Sequence, residues 1–152
     1  MKIRRLQPGD EGILSTLAMD AAEFGLSDDG GPLTALGWQQ AGRYLCDASV
    51  VHWVAFDADE VVGSLVTIRL PLHVSPGIEL LLYEIGVRES WRRRGVGAAL
   101  VRCMDEWMHT NEIGTVWVLA DNEGATSFYS SCGFSSEPDQ PRYMVRSTGE
   151  NA

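Results

Sequence analysis

One junction constrains this chain more than any other part of it. The run IELLLYEIGV, residues 78–87, is apolar apart from Glu79 and Glu84, the pattern of a central strand covered on both faces. It leads into VRESWRRRGVG, residues 87–97, where Arg92, Arg93 and Arg94 stand before Gly95 and Gly97. A helical segment, AALVRCMDEWM, follows, and Val96, Leu100, Cys103, Met104 and Trp107 make one apolar stripe. A strand that ends in a glycine-bearing turn and a helix N-terminus is a site for phosphate, because unpaired N–H groups and the positive end of the helix dipole converge there. Glycine lets the backbone approach an anion closely, since no Cβ intervenes.

The remaining periodicities set this junction in one α/β (α+β) domain, expected over residues 1–147, with 148–152 as a C-terminal tail. A short first strand is expected at 3–6. A helix after Pro8-Gly9-Asp10 carries Ile13, Leu14, Leu17, Ala18 and Ala21. Residues 25–36, rich in Gly, Asp and Pro, read as a loop, and 38–46 as a second helix. Runs 50–56 and 61–70 flank a polar turn at 57–60 and read as a hairpin. Further strands are expected at 115–120 and 142–145, with a helix at 124–132. The order β-α-α-β-β-β-α-β-α-β gives a mixed sheet flanked by helices.

Composition narrows the function. The 45% hydrophobic and 22% charged content is that of an ordinary globular protein, and the longest apolar runs are strand-sized. The N-terminus MKIRRLQPGDEG lacks the apolar core of a signal peptide, so a cytoplasmic location is the default. A net charge of −9 disfavours nucleic-acid and anionic-membrane partners. Arg88 and Arg92–Arg94 form a basic island on this acidic chain, which suits an anionic cofactor and a cationic substrate. Cys46, Cys103 and Cys132 read as buried reduced thiols, and the histidines share no metal-ligand spacing, so no metal is expected.

Two other glycine-loop readings fail. A dinucleotide fingerprint needs a third glycine where Leu100 stands, and a P-loop needs Gly-Lys-Ser/Thr, whereas the sole lysine is Lys2. The spacing Val87, Arg92, Gly95, Gly97, Leu100 instead resembles the acyl-CoA signature of the GCN5-related N-acetyltransferases (GNAT), Arg/Gln-x-x-Gly-x-Gly/Ala after a central strand. A second match lies in LADNEGATSFYSSCGF, with Asn122, Ala125, Phe128-Tyr129 and Gly133-Phe134 in that family's order. One departure is Glu89, where the family usually has proline.

The resemblance implies a mixed, mostly antiparallel twisted sheet with acyl-CoA at the end of the central strand, and acetyl-CoA as cosubstrate. It implies that the backbone of Ile85, Gly86 and Val87 meets the pantetheine arm. Backbone N–H groups and side chains of Arg92, Arg93, Arg94, Gly95, Val96, Gly97 and Ala98 would hold the pyrophosphate. Asn122 and Ala125 would contact the pantetheine chain, and Tyr129 would protonate the departing thiolate, although an aromatic in an amphipathic helix is also an ordinary core residue.

Glu84 stands out on its own residues. A carboxylate inside LLLYEIGV is costly to bury unless paired or used. Strict alternation puts it on the face of Leu80 and Leu82. Burial would raise its pKa and suit it to act as the base that deprotonates an acceptor ammonium; the alternative is an ion pair with an arginine across the sheet.

Within the superfamily, WVAFDADEVVGSLVTIRLPL, LLYEIGV and VLADNEG resemble the type I aminoglycoside 3-N-acetyltransferases. Those enzymes typically carry Asp at the position of Glu84 and a longer acidic loop where Asp121 and Glu123 stand. The resemblance implies direct acetyl transfer to a polycationic drug. Asp28, Asp29, Asp121, Glu123, Glu137 and Asp139 are candidate substrate carboxylates or plain solvated surface. Another small amine, a protein N-terminus, or a non-catalytic acyl-CoA sensor are the competing readings. A homodimer is left open.

Overall fold

A computed structural model describes residues 1–149, so the expected tail lies partly outside the described residues. The chain forms two compact units, Met1–Leu119 and the segment from Ala120 onward. In the first, five strands lie in sequential order: β1 (Lys2–Arg5), β2 (Val50–Asp57), β3 (Glu60–Pro71), β4 (Ile78–Val87) and β5 (Val116–Trp117). Neighbours run antiparallel except β4 and β5, which are parallel. Helices α1 (Glu11–Met19) and α2 (Trp38–Cys46) come before β2, and α3 (Val96–Thr110) makes the crossover that a parallel pair requires. The mixed, mostly antiparallel α/β architecture read from the sequence is the one observed.

The register assigns each side chain to a face. Trp53, Gly63, Leu65, Leu80 and Leu82 share the face that meets α3: Trp53 packs edge-on against Trp107 at 5.9 Å, and Leu65, Leu80, Leu82, Leu100 and Met104 are fully buried. Gly63 is small of necessity here, since a Cβ would lie 2.7 Å from Val96 Cγ1. The other face carries His52, Val54, Ser64, Val66 and Gly86. It is covered from α2, where Tyr44 meets His52, and by the segment after α1, where Phe24 and Leu26 pass over Gly86.

β4 breaks strict alternation. Val66 pairs with Glu84 and Thr67 with Leu82, so Tyr83 has no counterpart on β3 and forms a β-bulge. The extra residue moves Glu84 to the face opposite Leu80 and Leu82, correcting the placement expected from alternation. A bulge also bends its strand and can end pairing. The parallel ladder stops beside it, at Leu80↔Val116 and Leu81↔Trp117, so the strand expected over 115–120 shortens to two residues.

In the second unit, α4 (Glu123–Ser131) is followed by a turn with Gly133 at φ 92°. Residues 142–145, expected as a last strand, have no ladder partner among the described residues, and Tyr143, Met144 and Val145 are exposed. β-propensity expresses itself only where a neighbouring strand exists to pair and pack against.

Candidate active site

Gly95 is the N-cap of α3, in the left-handed region at φ 81°, and no side chain caps the helix. The first bond of the helix runs from Ala99 N–H to Gly95 O at 3.0 Å, so the N–H groups of Val96, Gly97 and Ala98 have no intrahelical acceptor. Arg93, exposed and also left-handed at φ 61°, and Arg94, 4.8 Å over the Trp91 ring, flank this end.

Two arginines of the basic island turn elsewhere. The Arg92 guanidinium donates from Nε to Val87 O at 3.1 Å and from Nη2 to Glu23 O at 3.2 Å, so its side chain braces the loop. Arg88 is buried: Nε donates to Val61 O at 2.9 Å, Nη2 meets Asp20 at 3.1 Å, a further ion pair joins Glu23, and the guanidinium lies 4.6 Å over Phe24. Sequence proximity counted these two with the cationic surface. Their work is to tie the exit of β4 to β3 and to the segment after α1.

Beside this turn the strand edge on the β5 side has no ladder partner among the described residues. Arg88 N–H donates to Val62 O on the β3 side at 2.9 Å, so alternation directs the backbone groups of Ile85 and Val87 to the β5 side. There the ladder has already ended, and Val87 O is taken by Arg92, which leaves Val87 N–H with both groups of Ile85. An extended amide chain can add to such an edge as a strand does. Gly86, expected to touch cofactor, instead has a packing role, because a Cβ would come within 2.6 Å of Phe24 O.

Glu84 is half-buried, and desolvation raises its pKa above the usual carboxylate value. Among the described residues it has no ion-pair partner, so the arginine bridge is not formed there. On the same face lies a buried polar group that the sequence reading missed. His52, 6% exposed, joins Tyr44 Oη to Nδ1 at 2.9 Å and Ser64 Oγ to Nε2 at 2.7 Å. Burial lowers the imidazole pKa to about 4, so it is neutral. Its signal was available: a histidine inside VVHWVAF is as out of place as a glutamate inside LLLYEIGV.

Within the second unit, Asn122 is the N-cap of α4. Its Oδ1 accepts from Ala125 N–H at 2.8 Å and its amide donates to Asp121 at 3.0 Å. The two residues expected to touch pantetheine are thus bonded to each other, which gives the motif asparagine a structural reason. Tyr129 is buried between Phe128 and Phe134, at ring distances of 5.4 and 5.5 Å, and burial followed by the charges of Asp121 and Cys132 raises its phenol pKa. Asp121, Glu123, Glu137 and Asp139 are exposed, as are Asp28 and Asp29 of the first unit. Asp29 accepts from Gly31 N–H at 2.9 Å, closing its own turn. The cysteines are free and none is buried, contrary to expectation, with Cys46 exposed. Among the described residues no helix is long and apolar enough to cross a membrane, and no cluster of three or more His, Cys, Asp or Glu could hold a metal.

The donors at α3 suit a diphosphate ester, and the edge of β4 beyond its β5 ladder suits a chain of amides. Known structures share the architecture. An aminoglycoside acetyltransferase from an uncultured soil metagenomic sample, in complex with sisomicin, superimposes with a TM-score of 0.82 at 20% identity, covering 97% of this chain and 96% of that one. An aminoglycoside 6'-N-acetyltransferase from Acinetobacter haemolyticus gives 0.71 at 17% identity, over 98% and 100%. A ribosomal-protein-alanine N-acetyltransferase from Brucella melitensis biovar Abortus 2308 gives 0.73 at 18%, over 95% and 97%. No curated protein sequence is similar enough to count as a match. The acetyltransferase (GNAT) family model matches residues 16–134, most of the chain, and with the strand, glycine turn and uncapped helix in place the chain belongs to the GNAT acetyltransferases.

Proposed function

We propose that this N-acetyltransferase moves an acetyl group from acetyl-CoA to an amine of an aminoglycoside, the 3-amino group, by direct transfer in a ternary complex, and so confers resistance. Acetyl-CoA supplies an activated acetyl thioester. The N–H groups of Val96, Gly97 and Ala98, with Arg93 and Arg94, hold its diphosphate, and the backbone of Ile85 and Val87 pairs with the pantetheine amides. Glu84 carries the reading. It is a desolvated carboxylate with raised pKa and no cation on it among the described residues, beside that strand edge. Such a group takes a proton from an acceptor ammonium near neutral pH. Tyr129, assigned from its motif position, stays a neutral phenol able to protonate the departing thiolate.

The acceptor rests on charge and on likeness. A net charge of −9 leaves the protein attractive to a polycation, with Asp28, Asp29, Asp121, Glu123, Glu137 and Asp139 as exposed contributors. A structural neighbour holds sisomicin. The test is thiol release from acetyl-CoA with sisomicin, gentamicin, kanamycin and spermidine, and NMR of any product to locate the acetyl group. Turnover with spermidine alone would sink the aminoglycoside reading. Glu84→Gln is expected to lower kcat about 10²-fold; full kcat retained from about pH 6 to 9 would remove Glu84 as the base.

A further inference from the structure

The bulge in β4 puts two consecutive side chains on one face of the sheet. Leu82 pairs with Thr67 and Ile85 with Leu65, and all four belong to the face that meets α3. Tyr83 and Glu84, the two residues between them, therefore share the opposite face. Regular alternation would separate such neighbours. Here an aromatic ring and a carboxylate leave the same face from Cα atoms about 3.8 Å apart.

The ring is free of the fold. Tyr83 is 68% exposed in the middle of a strand whose next residue, Leu82, is 1% exposed. Cover on this face lies elsewhere: Phe24 and Leu26 pass over Gly86, and Tyr44 of α2 meets His52 on β2. On the β5 side the ladder ends at Leu81↔Trp117, so no strand pairs with Tyr83 there. Tyr44 is bonded to His52 and Tyr129 packs between Phe128 and Phe134, whereas Tyr83 has no ring partner or side-chain hydrogen bond among the described residues. An exposed tyrosine alone is ordinary surface. This one is held by the bulge beside an unpaired carboxylate, on an uncovered stretch of sheet.

The two groups attract the same partner. A cation over the face of a tyrosine ring is drawn by the ring quadrupole, and a carboxylate draws it by charge. The ring also offers apolar surface to the carbon skeleton that carries the cation. A neutral hydroxyl gains from neither charge effect, so the pair favours an amine over an alcohol.

We propose that Tyr83 is an acceptor-binding residue: its ring forms one wall of the amine site, packing on the ammonium and the carbon skeleton that bears it, while Glu84 takes the proton. This rests on the reading that the acceptor amine comes to Glu84. The contact is made equally before and during acetyl transfer, so its loss acts on KM for the acceptor and spares kcat.

Thiol release by the whole protein tests it, with whichever of sisomicin, gentamicin, kanamycin and spermidine turns over fastest. Tyr83→Ala is expected to raise KM for that amine about fivefold, with kcat within about a factor of two and KM for acetyl-CoA unchanged. Tyr83→Phe keeps the ring and should match wild type. If Tyr83→Ala does not fold, Tyr83→Thr removes the ring and keeps strand propensity. An unchanged acceptor KM in the folded ringless variant overturns the proposal. So does a Tyr83→Phe as impaired as that variant, or a rise in both KM values together. No turnover with any of the four amines removes the acceptor site and Tyr83's part in it. Full kcat in Glu84→Gln is a separate result: it removes the base, while the acceptor KM of the ringless variant still decides the role of Tyr83.

Discussion

Gly86→Ala tests whether the close passage of the segment after α1 over β4 governs both stability and site geometry. The added Cβ would lie 2.6 Å from Phe24 O and 2.9 Å from Leu26 Cδ2. An ordinary carbon–oxygen contact is about 3.3 Å or more, so the Phe24 backbone must retreat by roughly 0.7 Å. It has little freedom to do so: Phe24 is 2% exposed, and the neighbouring Glu23 is held by Arg88 through its carboxylate and by Arg92 through its carbonyl. Overpacking of this kind costs about 1–3 kcal/mol, offset by about 0.4–1 kcal/mol from the stiffer unfolded chain. The expected net loss of about 1–2 kcal/mol lowers Tm by roughly 2–8 °C for a domain of this size. Urea denaturation followed by tryptophan fluorescence measures it. Gly12→Ala is the control, inside α1 with nothing within 4 Å, and is expected to gain about 0.5–1 kcal/mol. A Gly86→Ala midpoint at or above wild type would refute the packing argument.

Two further outcomes are expected. His52 is neutral in the folded state with a pKa of about 4, against about 6.5 in the unfolded chain, so unfolding takes up a proton between those values. Stability is therefore full above about pH 6.5 and falls by up to about 3 kcal/mol as pH drops toward 4. Urea midpoints across that range should show the slope in wild type and a weaker one in His52→Gln, and equal slopes would disprove the assignment. Asn122→Ala removes the cap on α4 and should cost about 1 kcal/mol, read as a lowered urea midpoint, with Asn122→Asp retaining most of it.

Much of the framework was legible from local pattern. Hairpin β2–β3, the stripe of α3 and the glycine turn before it each depend on residues close in sequence, where periodicity and backbone freedom act directly. Residues 142–145 and the length of β5 were not legible, because a strand exists only by virtue of a distant neighbour. The basic island was half misread for a related reason. Composition reports that Arg88 and Arg92 are cationic, but not that backbone carbonyls and the carboxylates of Asp20 and Glu23 stand beneath them.

What the sequence determined by itself is the glycine turn and uncapped helix start that follow β4. Gly95 can take the left-handed turn, the apolar stripe begins the helix at once, and no capping side chain precedes it, so the N–H groups of Val96, Gly97 and Ala98 are presented wherever this segment folds. What only the tertiary structure decided is the face that Glu84 occupies. One unpaired residue, Tyr83, changes the parity of β4 because side chains alternate with a period of two. The carboxylate thereby leaves the face that packs on α3 for the opposite one, which it shares with His52 and Val66.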